Sequence, residues 1–160
     1  MLKLYAVRHA KSSWAFQQLH DIDRPLKRKG IKRAIQMARI LKERGAKPDA
    51  VISSPSMRTC QTALLFGTVL RYNPEKITLL NTLYEAGLED VKKMISKLAD
   101  SDKEVMFFGH HPSITDLANT YLDEPLAALP TGSIALLTSK ANKWSRFISQ
   151  PLDIELIMPH

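Results

Sequence analysis

Cys60 is the only cysteine among 160 residues. A lone thiol excludes an internal disulfide framework and leaves no cysteine-based metal cluster. Long apolar runs are also missing, and no stretch approaches the roughly 20 residues needed to span a bilayer. The first residues alternate around Lys3, without the long apolar core and small-residue cleavage site of a secretory leader. These absences together give the cytoplasm as the expected location and no membrane association. Repeats, low-complexity tracts and linkers are absent as well. The length suits one domain, residues 1–160, large enough to bury a full core.

Acidic residues are scarce in one region. Between Arg24 and Lys47, the cations Lys27, Arg28, Lys29, Lys32, Arg33, Arg39, Lys42 and Arg44 are opposed only by Glu43. The whole chain carries a formal charge of +7, with a pI near 9.6. A solvated helix face accounts for such a segment, and attraction of an acidic substrate or protein is the next reading. Nucleic acid is not an expected partner. No helix-turn-helix, zinc-finger or aromatic RNA-binding pattern accompanies the charge.

What is present is an alternation of strands and helices. Residues 2–7 form an apolar strand, and 10–25 a polar loop holding Trp14, Phe16 and Pro25. The spacing of Ile31, Ala34, Ile35, Ala38 and Leu41 predicts a helix over 27–44, ended by Gly45 in a left-handed cap. A short buried strand at 50–52 precedes a helix over 56–70, and 77–80 allows another short strand. Leu88, Val91, Met94, Ile95 and Leu98 line one side of a helix over 88–99. Residues 104–108 make a further apolar strand, followed by a helix over 113–122. The tail holds strands at 133–138 and 154–158, with a third possible at 144–148. This order predicts a three-layer α/β fold: a mainly parallel, mixed central sheet with helices on both faces.

Three apolar strands end in polar residues of particular kinds. The first ends in Arg8-His9-Ala10, the second in Ser53-Ser54-Pro55 with Arg58 and Thr59 just beyond, and the third in Gly109-His110-His111-Pro112. Ligands of open α/β sheets bind at the carboxyl ends of the strands. If these strands are parallel neighbours, two arginines and two histidines converge there. Two guanidiniums beside helix N-termini suit a tetrahedral dianion. Nearby cations disfavour imidazolium, so His9 is expected to be neutral and able to attack phosphorus. Phosphoryl transfer needs mainly in-line positioning and charge stabilisation. No carboxylate cluster accompanies these motifs, and neither a metal nor a cofactor is expected.

Arg8-His9-Ala10, Asp23-Arg24-Pro25-Leu26 with Gly30 and Ala34, Ser53-Ser54-Pro55 with Arg58-Thr59, and Gly109-His110-His111-Pro112 resemble the histidine phosphatase superfamily. Length and motif order look most like its SixA-like phosphohistidine phosphatase branch. The resemblance implies a phosphoglycerate mutase-like fold with His9 as the phosphorylated nucleophile. It implies that Arg8, Arg58 and His110 bind the phosphoryl group. In much of the superfamily an acid between the second and third motifs protonates the leaving group, which makes Glu85 the candidate; a loop glutamate without chemistry is the other reading. Ala10 stands where a glycine is usual, and His111 where an asparagine is common.

The remaining polar residues carry open readings. Arg24 either reaches the phosphoryl site or pins the loop to the first helix, and His111 is either a supporting hydrogen-bonding group or a substrate contact. Cys60 reads as a core residue, His20 and His160 as exposed, and Trp14 and Phe16 as loop anchors. The expected activity is hydrolysis of protein phosphohistidine through a phosphohistidine enzyme. A phosphatase for small phosphorylated molecules with Glu85 as acid is the alternative, and a non-catalytic phosphate-recognition module the reading from another class.

Overall fold

Strand β1 (Leu2–Arg8) is apolar at odd and even positions alike. Leu2, Leu4 and Ala6 face one side, Tyr5 and Val7 the other, and all five are buried. Such a strand needs cover on both faces. The computed structural model, which describes residues 1–160, places it inside a six-stranded sheet. The other strands are β2 (Ala50–Ser53), β3 (Thr78–Leu79), β4 (Glu104–Gly109), β5 (Ile134–Ser139) and β6 (Leu152–Ile157), in the order β3-β2-β4-β1-β5-β6. Pairings from β3 through β2 and β4 to β1 are parallel, whereas β1–β5 and β5–β6 are antiparallel.

Helices α1 (Arg28–Glu43) and α2 (Met57–Leu70) cover the face presenting Tyr5, Val7, Met106 and Phe108. Helices α3 (Leu88–Ser96) and α4 (Ser113–Asn119) cover the opposite face with Leu4, Phe107 and Leu137. This is the expected three-layer, phosphoglycerate mutase-like arrangement. The helix ends follow local chemistry. Ser56 caps α2 by accepting from the Thr59 N–H. Gly45, at φ 79°, closes α1 in a Schellman turn in which Ala46 N–H reaches Leu41 C=O and Gly45 N–H reaches Lys42 C=O.

Two details depart from the sequence pattern. The inner face of α1 is Gly30, Ala34, Met37, Ala38 and Leu41, while Ile31 is exposed and Ile35 half-buried. The helix is rolled because Gly30 lies directly against the backbone of Lys11. A Cβ on Gly30 would stand 2.2 Å from the Lys11 carbonyl oxygen. Residues 144–148 are not a strand; Trp144–Ser149 is a 3-10 segment. The Trp144 backbone N–H donates to Asp100 Oδ1 and its indole to Asp102 C=O, which turns Trp144 and Phe147 into the core beside α3.

Topology positions the three motifs. The chain moves outward from β1 to β2 and β3, then returns as β4 between β2 and β1. Arg8 is in register with Gly109, the His9 N–H donates to Gly109 C=O, and the Ser54 N–H to Phe108 C=O. The ends of β1, β4 and β2 therefore lie level at one sheet edge.

Candidate active site

His9 leaves β1 almost fully buried, 8% exposed, with its Nδ1 2.7 Å from the carbonyl of Ala10. A carbonyl only accepts, so Nδ1 carries the proton and Nε2 keeps its lone pair. Burial first, then the adjacent His110 and the charges of Arg58 and Arg8, hold the imidazole pKa down to about 3, against the opposing pull of the Ala10 hydrogen bond. His9 is thus neutral at physiological pH with a free ring nitrogen. Its N-terminal neighbour is equally constrained. Arg8 Nη1 donates to Leu129 C=O, and burial lowers its pKa while its Nε has no partner.

The start of β5 holds the same stretch from the other side. Gly132, at φ 80°, donates its N–H to both Arg8 C=O and His9 C=O, and Ser133 C=O accepts from the Arg8 N–H. Thr62 of α2 links this stretch to the second motif. Its hydroxyl accepts from the Ala10 N–H at 3.1 Å and donates to Arg58 C=O at 2.7 Å.

Arg58 projects from the first turn of α2 and is 7% exposed. Its Nη2 lies 3.4 Å from His110 Nδ1, so that nitrogen is the acceptor and His110 Nε2–H donates to Ser54 Oγ at 2.8 Å. The His9 and His110 rings stand 5.4 Å apart. Burial, followed by the Arg58 charge, brings the His110 pKa down to about 4. The expected convergence of Arg8, His9, Arg58 and His110 is what the structure shows.

Asp21, absent from the sequence reading, sits at the outer side of this group. Its Oδ2 accepts from Arg58 Nη2 at 3.0 Å and from Tyr84 Oη at 2.7 Å, and its backbone carbonyl accepts from Arg58 Nη1 at 2.8 Å. Its Oδ1 accepts from both Nε and Nη2 of Arg24. Partial burial alone would raise the Asp21 pKa, but the hydrogen bonds from Tyr84, Arg24 and Arg58 bring it to about 2. Arg24 is buried, bonds Ser12 Oγ and Ser13 C=O, and lies 3.5 Å from the centre of the Trp14 ring. Arg24 lines a cleft of about 280 Å³ with Arg8, His9, Lys11, Trp14 and Lys27, while its hydrogen bonds stay inside the loop, at Ser12, Ser13 and Asp21, and do not tie the loop to α1.

Glu85 is exposed, with the left-handed backbone φ of 57°. Its neighbour Tyr84 is the residue that reaches the site, edge-on to His110 at 5.7 Å. The His111 ring bonds Thr115 Oγ1 at 3.0 Å, and the same oxygen accepts from the Leu129 N–H. Since Leu129 C=O holds Arg8, His111 belongs to the support of the site. Cys60 is half-buried and its thiol pKa is raised by burial. Trp14 and Phe16 do not anchor the loop in the core; both are exposed. No three His, Cys, Asp or Glu side chains cluster as a metal site.

A neutral imidazole beside the buried Arg58 and the half-buried Arg8, at the carboxyl edge of a phosphoglycerate mutase-like sheet, defines a phosphoryl-transfer protein. Residues 4–116 match the sequence pattern of the histidine phosphatase superfamily (branch 1), and the chain belongs to that superfamily. It is a phosphatase, and its fold is SixA-like. An uncharacterized chloroplastic protein of Arabidopsis thaliana is 29% identical over 150 residues, which span 89% of this chain and 68% of that one. A structure assigned as the phosphohistidine phosphatase SixA of Agrobacterium tumefaciens superposes with a TM-score of 0.83 at 24% identity, covering 99% of this chain and 98% of that chain. The protein histidine phosphatase SixA complexed with tungstate gives 0.81 at 21% identity, over 99% and 97% of the two chains.

Proposed function

We propose that this phosphatase removes phosphate from phosphohistidine, with His9 as nucleophile. The observation that carries this reading is Asp21. It is the only carboxylate bonded to Arg8, Arg24 or Arg58, and it is ionised and bound on both oxygens. An alkoxide leaving group needs a proton donor in the transition state. A phosphohistidine already protonated on its other ring nitrogen departs as neutral imidazole and needs none. Glu85, the candidate acid for a phosphoester, is exposed, with its backbone turned at the edge of the site. The tungstate-bound SixA relative, a protein histidine phosphatase by name, supports the same reading.

In the first step His9 Nε2 forms a bond to phosphorus as the substrate N–P bond breaks. The electron pair of that bond returns to the departing imidazole. Arg8 and Arg58 stabilise the equatorial oxygens, and His110 holds Arg58 in place while lining the site. In the second step water attacks phosphorus, the His9–P bond breaks, and phosphate leaves as His9 regains its lone pair. Phosphate trapped on the enzyme after rapid quenching is expected to be acid-labile and base-stable, and absent from His9→Ala. Hydrolysis of phosphohistidine is expected to exceed that of an alkyl phosphate, with Glu85→Gln active on phosphohistidine. Equal or faster turnover of the alkyl phosphate, lost in Glu85→Gln, would establish the small-phosphoester reading instead.

A further inference from the structure

The loop over the candidate site presents apolar side chains outward. Trp14 is 76% exposed, Phe16 54% and Leu19 41%, three of the largest exposed apolar residues of the chain within six positions. Isolated surface apolar residues need no explanation, whereas a cluster beside a cleft marks a contact surface. This loop is also held in shape. Its neck is closed by the Ser12–Leu26 bridge, by Ser13 N–H to Pro25 C=O and by Lys27 N–H to Lys11 C=O. A further tie runs from the Leu26 N–H to Gln61 Oε1 at 2.7 Å. An ordered loop that leaves aromatic surface in water has paid the ordering entropy before a partner arrives.

Charge indicates the kind of partner. The cleft beneath the loop is lined by Arg8, Lys11, Arg24 and Lys27, with no carboxylate among its lining residues. Arg28 and Lys29, exposed at the start of α1, extend this basic rim. Of the two loop carboxylates, Asp21 is held by Arg24 and Arg58, which leaves Asp23 as the one free negative group. A small phosphorylated molecule needs only the floor of the cleft and has no use for Phe16 or Leu19.

We propose that residues 13–24 and the first turn of α1 form a docking surface for an acidic protein that presents its phosphorylated histidine to His9. The inference rests on the phosphohistidine reading above. Phe16 and Leu19 make the apolar contact, Lys27, Arg28 and Lys29 the electrostatic rim, and Trp14 sits between the partner and Arg24. Steering by the rim raises the encounter rate and weakens with salt.

The test uses the full chain and three substrates: an acidic and a basic carrier protein, each phosphorylated on histidine with phosphoramidate, and free phosphohistidine. The wild type is expected to prefer the acidic carrier, the more so at low salt. Phe16→Ser with Leu19→Ser is expected to lower kcat/KM on the acidic carrier by about tenfold, the scale of losing interface anchors, with free phosphohistidine changed less than about twofold. Arg28→Glu with Lys29→Glu is expected to reverse the carrier preference. Both pairs are surface changes that leave the core intact, which unchanged thermal unfolding verifies. Equal losses on carrier and free phosphohistidine, or none on either, would overturn the docking surface while leaving the phosphohistidine reading standing. A wild type inactive on all three substrates would overturn both. Vesicles of anionic lipid that bind the wild type and not the Phe16/Leu19 variant would assign the surface to a membrane instead.

Discussion

Asp21 grips Arg58 twice, through carboxylate Oδ2 to Nη2 and through its backbone carbonyl to Nη1. This occupies the end of the guanidinium fork and holds Nη2 3.4 Å from His110 Nδ1. A carboxylate in a site built for phosphate therefore acts as the orienting partner of the arginine. In Asp21→Asn the amide nitrogen faces a guanidinium that only donates, so one of the acceptors for Arg24 or Arg58 is lost. We expect kcat/KM to fall by about tenfold or more, the scale of breaking one charge-assisted bond. Tyr84→Phe, which removes one donor to Asp21 and leaves the ion pairs, is expected to cost less. Steady-state rates on phosphohistidine check both, and a neutral Asp21→Asn would show that Arg58 is held without it.

Gly30 allows α1 to touch the chain just after His9. A methyl group at that position would lie 2.2 Å from the Lys11 carbonyl oxygen and 2.9 Å from its nitrogen, both backbone atoms. Gly30→Ala is expected to destabilise by about 1–3 kcal/mol, as overpacked positions do, despite the higher helix propensity of alanine. The urea midpoint measures this. Because Lys11 adjoins the His9–Ala10 turn, kcat is expected to fall as well.

Thr115 carries the support of Arg8 at one remove. Its hydroxyl bridges the His111 ring and the Leu129 N–H, and Leu129 C=O holds Arg8 Nη1. Thr115→Val keeps the shape and orphans the buried Leu129 N–H, a loss of about 1–3 kcal/mol. Chemical denaturation is expected to show that loss, and kinetics a reduced kcat as Arg8 loosens.

Two buried neutral histidines make the fold acid-sensitive. His9 and His110 have folded pKa values of about 3 and 4, against 6.5 for an exposed imidazole. Below pH 6.5 the unfolded chain takes up protons that the folded chain refuses, so stability falls as pH drops toward 4. The slope is ~1.4 kcal/mol per pH unit for each histidine. Asp21 acts in the same direction at lower pH, since its stabilising bonds are lost as pH falls from 3.8 toward its folded value of about 2. Urea midpoints at pH 7 and pH 5 test this, and His9→Gln is expected to flatten the difference. The profile of kcat/KM, which reports the free enzyme, is expected to show no acid limb near 6.5 from His9.

Strand ends were the legible part of this chain. Arg8-His9, Arg58 and Gly109-His110 each follow an apolar run that a sheet must bury, and the run fixes where the polar residues emerge. Asp21 and Tyr84 have no such marker. Asp21 opens one short 3-10 turn and Tyr84 follows another, and Asp21 meets Arg58 only because its loop folds back across α2. Glu85 is the ionisable residue in the interval where the resemblance implies an acid, whereas the left-handed turn at that residue leaves Tyr84 as the one that reaches His110. The 3-10 segment at 144–149 was hidden for a similar reason. Its apolar spacing fits a strand, and what decides otherwise is a pair of hydrogen bonds to Asp100 and Asp102 about 40 positions away in sequence.

The double acceptance of Gly132 N–H by Arg8 and His9 separates two tasks within one catalytic edge. Holding His9, the proposed nucleophile, belongs to strand termini and to the Gly132 turn. Meeting the partner, on the docking proposal, belongs to residues 13–24, which touch the site through Trp14, Asp21 and Arg24. Evolution can therefore rewrite the outer loop to change clients while the phosphoryl-handling machinery stays as it is, so relatives with the same Arg-His edge need not share a substrate.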